Sequence, residues 1–247
     1  SLPFDSPPVT RRLPMELSQH PIKPRLTLRV GITGHRELDP SKVERIRADL
    51  DSVFSVLDRT VDGLAAEYAA YFDVQQPLRR LISPLAEGAD MLTADVASGR
   101  GYEIQSPLPF SIEEYARDFQ NGKGVELSAR LSAVDAIFEL DGHREGDRVE
   151  ETSYLAAGYL TLRQCDLLVA VWDGQAARGL GGTAMIVEAA IQRGIPVVWV
   201  DSVEQTAPTL VRSDLLRGPP VEDIRDFLWQ RLAPPFVVSS TEIADPF

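Results

Sequence analysis

Two short runs constrain this chain most. "LLVAVW" (Leu167–Trp172), in the segment "DLLVAVW", and "PVVWV" (Pro196–Val200) are apolar without interruption, and one helical pattern, "GTAMIVEAAIQRG", separates them. A strand that is half solvated alternates apolar and polar residues; one that is apolar throughout is covered on both faces. Two such strands joined through a helix describe a parallel sheet between two helical layers. The rest of the chain repeats the alternation. "LTLRVGIT" reads as a first strand and "ELDPSKVERIRADLDSVFSVLDR" as a helix, with Asp39 or Ser41 as cap and Val43, Ile46, Leu50, Phe54 and Leu57 on one face. "DGLAAEYAAYF" continues as a second helix, "LRRLISPLA" is a strand and "GADMLTADVASGRG" a glycine-closed helix. "YEIQSPLPF" is a strand, "SIEEYARDF" opens with a Ser111–Glu114 capping box, and "VELSARLSAVDA" and "AIFEL" are a helix and a short strand. "DGHREGDRVEE" reads as a polar loop before the helix "TSYLAAGYLTLRQC". The expected fold is α/β: a doubly wound, mostly parallel sheet with helices on both faces. The domain spans residues 26–200, with an extended proline-rich arm over 1–25 and an extension or linker with a possible short helix over 201–247.

Composition narrows the partners. A formal net charge of −12 opposes general nucleic-acid binding, which usually needs a basic face. It leaves room for a local anion site, because backbone N–H groups supply their own positive potential. No apolar run approaches the ~18 residues of a bilayer span, so no membrane insertion is expected, and no secretory signal opens the sequence. With one cysteine, Cys165, no internal disulfide forms, which favours a reducing, cytoplasmic setting. His20, His35 and His143 have no ligand-like spacing to one another, so no metal is expected. A GxxxxGK[ST] loop, a GxGxxG turn and a GxSxG elbow are all missing.

A parallel sheet binds ligands beyond the carboxyl ends of its strands. Three strand-to-helix junctions are unusual there. "GITGHRELDP" offers Thr33, Gly34, His35 and Arg36; "SPLAEGAD" offers Glu87, Gly88 and Asp90; "WDGQAARGLGGT" offers Trp172, Asp173, Gly181, Gly182 and Thr183. Each leads to a helix start with orphan N–H groups and partial positive charge, and three together would make a pocket for phosphate. Each also has a plainer reading. The glycines serve tight turns, His35 and Arg36 form a solvated pair, Glu87 and Asp90 complement a helix dipole, and Trp172 is core rather than a surface for a base.

The segments "VGITGHREL", "SPLAEGADMLTADVA" and "YLAAGYLTLRQCDLLVAVWDGQAARGLGGTAMIVEAAIQRGIPVVWV" resemble, in that order, the SLOG superfamily. These are Rossmann-like domains that include the lonely-guy cytokinin-activating enzymes and bacterial sensor domains of signalling and defence systems. The resemblance covers residues 26–200. It implies a nucleotide or nucleotide-derived small molecule at the strand ends, no cofactor beyond that ligand, and a homodimer; the apolar-faced helix Val43–Leu57, or Thr152–Gln164, is the expected contact. The enzymes of the superfamily cleave N-glycosidic bonds with a glutamate two or three residues after the Gly-Thr threonine. Those positions are Met185 and Ile186 here. The first acid, Glu188, lies roughly 140° around the helix and about 7.5 Å along it from Thr183. The expectation is therefore a ligand sensor, with Glu87 as the one catalytic candidate if the chain is instead an N-glycosidase acting on nucleotides. A third reading is an interaction domain with a vestigial pocket.

Overall fold

The computed structural model describes residues 22–119, 123–145, 147–176 and 182–234. Its eight-stranded sheet has the order β4-β3-β2-β1-β5-β6-β7-β8. The first six strands are β1 (Thr27–Gly34), β2 (Leu78–Ile82), β3 (Glu103–Leu108), β4 (Ala136–Glu139), β5 (Leu167–Trp172) and β6 (Val197–Asp201). Their pairings are parallel, and β7 (Thr209–Val211) and β8 (Arg217–Pro220) add antiparallel hairpin-like pairings at one edge. The fold is the Rossmann-like α/β arrangement expected. Strand order reverses between β1 and β5, where Thr33 pairs with Ala170 and Gly34 with Val171. That reversal opens a crevice at the strand ends.

The period of two along β5 sorts its side chains between two cores. Leu167, Val169 and Val171 join α1 (Val43–Glu67), α2 (Ala89–Gly99) and α7 (Ile224–Leu232) in one core. Leu168, Ala170 and Trp172 join α5 (Asp147–Gln164) and α6 (Thr183–Gln192) in the other. Every residue of β5 is buried, so its uninterrupted apolar run follows from being walled on both faces. The remaining helices, α3 (Ile112–Tyr115) and α4 (Lys123–Leu131), lie between β3 and β4 in the chain, and the Ser111 hydroxyl accepts the Glu114 amide as the capping box requires.

Several local expectations change. α1 is one continuous helix, because the second helical pattern extends the same buried face through Val61 and Leu64. That face packs in the core, so it is not available as the homodimer contact the sequence suggested. The helix starts after Lys42, while Asp39 closes a turn by accepting the Ser41 amide at 2.9 Å. α5 begins at Asp147, inside the segment expected as a polar loop. Past residue 200, β7 and β8 extend the sheet and Ile224 and Leu228 of α7 enter the first core. β7 and β8 are too short to leave a periodic trace in the sequence.

Candidate functional site

The carboxyl ends of β1 and β5 form the walls of a cleft of about 400 Å³. Thr33, Gly34, His35 and Arg36 come from the first junction, Trp172 and Asp173 from the third, and Gly182, Thr183 and Ile186 from the start of α6. Asp90, Tyr115 and Tyr154 complete it from α2, α3 and α5. Thus nine of the residues singled out at the strand ends, from Thr33 to Thr183, share one cavity. Gly181 lies outside the described residues.

The middle junction behaves differently. Gly88 does not line the cleft; its φ of +77° sets the turn, and any Cβ there would collide with the Arg36 carbonyl. Gly34 is equally constrained, since a Cβ would strike that of Ala89. The first amide of α2, that of Ala89, donates to the His35 carbonyl at 3.0 Å, and the Met91 amide donates to the Ala86 carbonyl at 3.2 Å. This helix start is therefore spent on the fold. Glu87 is half-buried and outside the cleft lining, whereas Asp90, one turn position further in, is 5% exposed and lines it. Sequence alone does not distinguish them, because which acid faces inward depends on the angle at which α2 meets the sheet.

Trp172 is 3% exposed. Its ring lies 4.9 Å from that of Trp199 at 37°, and its indole N–H donates to the Gln175 carbonyl at 2.9 Å. It is a wall of the cleft rather than a platform. His35 Nε2 accepts the Asp173 amide at 3.1 Å, and the Asp173 carboxylate stands 3.2 Å from the same nitrogen. A nitrogen that accepts an N–H has no proton to share with the carboxylate. The amide bond therefore makes Nε2 the acceptor and leaves Nδ1 to carry the ring's N–H.

Arg36 brings a positive charge to the cleft. Its guanidinium lies 4.7 Å over the Tyr154 ring and 3.9 Å from Asp118 Oδ2, beyond hydrogen-bonding range. Asp118 is already engaged: it accepts from Arg144 at 2.6 Å and from the Tyr154 hydroxyl at 2.5 Å. The guanidinium is thus oriented by an aromatic face and keeps donors for an incoming anion. Across the cleft, α6 starts at Thr183 with Gly182 as N-cap and no side-chain cap bond. Ile186, where the resemblance places a glutamate or its neighbour, presents an aliphatic side chain to the same cavity. Among the described residues no cluster of three or more His, Cys, Asp or Glu is placed to hold a metal ion, and no helix is long and apolar enough to cross a membrane.

No protein-family model matches the chain, and no curated protein matches it. Among solved structures it is similar to DNA processing protein A (DprA) of Streptococcus pneumoniae, at 13% identity and a TM-score of 0.43, over 85% of this chain and 57% of that one. It is also similar to DprA of Helicobacter pylori, at 15% identity and a TM-score of 0.43, over 84% of this chain and 74% of that one. The chain therefore spans little more than half the length of the pneumococcal protein. The Helicobacter structure is described by its single-stranded DNA binding mode. Two expectations are corrected here. The chain is not assigned as a small-nucleotide sensor, nor as the N-glycosidase that was its alternative, and general nucleic-acid binding is no longer excluded. The physical weakness of that exclusion is that net charge sums over the whole chain, while a strand is gripped by donors at one place.

Proposed function

We propose that this domain binds single-stranded nucleic acid, with one nucleotide unit seated in the cleft between the ends of β1 and β5. The observation that supports this best is the placement of Arg36, which faces the cleft from a Tyr154 platform while α6 starts on the other side. Arginine pairs phosphate through its planar fork, and a helix start adds amide donors to the same anion. The volume, about 400 Å³, falls in the range of small-ligand sites. SLOG-type membership belongs to the same reading, supported by the order of the three strand-end motifs. So does a reducing, cytoplasmic setting, supported by a lone and buried Cys165.

One phosphate held on an acidic protein makes binding weak and its salt dependence shallow. Single strands lose about 0.7 in the logarithmic slope per phosphate neutralised, so the slope should be about −0.7. The test is fluorescence anisotropy of a labelled, 5′-phosphorylated oligothymidylate of about twelve nucleotides. Saturable binding with that shallow slope supports the reading. No binding at low salt overturns it.

A further inference from the structure

Asp90 is the least expected wall of an anion-binding cleft. It is the second residue of α2, 5% exposed, and lines the cavity together with Arg36, His35 and Asp173. Its position in a first turn would ordinarily let its carboxylate take up helix amides. Here the turn is satisfied without it: Ala89 donates to His35, Met91 to Ala86 and Leu92 to Gly88. Among the described residues the carboxyl keeps one hydrogen bond, a long one of 3.4 Å from the Ala86 amide to Oδ2. Its other oxygen is left for the cavity.

We propose that Asp90 meets the occupant of the cleft as a protonated carboxyl, donating a hydrogen bond to an anionic oxygen beside Arg36. The proposal rests on the reading of the cleft as a nucleic-acid site and names the residue that selects its phosphate. An ionised Asp90 would oppose an anion in the same cavity; a neutral one adds a donor to those of Arg36 and α6. Burial supports this state by pushing the carboxyl up to about 7, against the smaller opposing effects of the Ala86 amide and of Arg36. The groups around it are accounted for. Tyr115 of α3 is held neutral by burial and Tyr154 of α5 is raised as well, so neither ring contributes charge. Asp118, behind the Tyr154 hydroxyl, is tied to Arg144. Asp173 lies against His35. When the anion enters above neutral pH, Asp90 takes one proton from solvent and no bond other than hydrogen bonds forms or breaks.

The test is the pH profile of oligothymidylate binding, with proton uptake read by calorimetry in two buffers of different ionisation enthalpy. With a carboxyl titrating at about 7, wild-type affinity should fall about 30-fold between pH 6 and 8.5, with close to one proton taken up per strand at the upper end. Asp90→Asn, which keeps a donor and cannot titrate, should bind at both pH values about as wild type does at pH 6, without proton uptake. A flat wild-type profile overturns the proposal without any variant. A profile that persists in Asp90→Asn shows that another group carries the pH dependence and also overturns it. Affinity that rises with pH would make Asp90 an ionised acceptor and overturn it too. Absence of binding at pH 6 has a different signature: it overturns the nucleic-acid reading itself, and this inference with it.

Discussion

The carbonyl of His35 accepts the Ala89 amide at 3.0 Å, and this bond ties the end of β1 to the first turn of α2. It turns one of three apparent anion-binding helix starts into a structural joint. Only glycine fits on either side of that joint, at Gly34 and Gly88.

Gly34→Ala should therefore act on the fold. Its Cβ has no space against Ala89 and meets the Val171 carbonyl at 3.0 Å. Overpacking of this kind costs about 1–3 kcal/mol. Thermal denaturation should show the loss, and an unchanged melting temperature would mean that α2 can slide away from β1 freely.

Gly182→Asp should act on binding instead. Gly182 has an extended backbone, φ −71° and ψ 162°, which any residue adopts, so folding should be nearly unaffected. A carboxylate as N-cap would stabilise α6 while repelling phosphate from it. Oligothymidylate affinity should drop at least tenfold with the melting temperature held or raised. Equal affinity would remove α6 from the site.

For Arg36→Ala the expected loss is about 1.5–3 kcal/mol of binding, the range for a hydrogen bond to a charged group. Arg36→Lys should recover only part, because an ammonium neither stacks flat on Tyr154 nor forks around phosphate. If alanine binds as wild type does, Arg36 serves only its contacts with Tyr154 and Asp118.

Asp90 also predicts a stability profile without ligand. The native carboxyl titrates at about 7, the unfolded one near the ordinary value of about 3.9. Between those values the native state holds a proton that the unfolded chain has released. Stability is therefore full below the lower value and is lost as pH rises through the upper one. The loss amounts to a few kcal/mol at most, roughly 1.4 per unit of difference. Urea unfolding at pH 5 and pH 8 should show this in wild type and a flatter response in Asp90→Asn.

Ile186, one of the two positions at which the resemblance expects a glutamate, lines the cleft. An aliphatic side chain cannot stabilise the positive charge that builds on ribose as a base departs. Incubation with adenosine, guanosine or cytidine monophosphate should release no free base above the uncatalysed rate. Turnover that vanishes in Asp90→Asn would reverse this.

The sequence by itself determined the layered architecture. Uninterrupted apolar runs such as Leu167–Trp172 require cover on both faces, and helical patterns between them require parallel crossovers. It also located the strand ends, since Gly34, Gly182 and Thr183 mark turns that any such sheet must make. Only the tertiary structure decided what those residues do. The packing of α2 on β1 consumed the Ala89 amide and turned Asp90 inward in place of Glu87, while in the other core β5 lying beside β6 pressed Trp172 against Trp199. Side-chain direction depends on how elements a hundred residues apart meet, as Arg36 on Tyr154 illustrates. Local pattern carries no record of that meeting: it encodes which residues must leave water, and the packing of one buried surface on another sets where each polar group among them points.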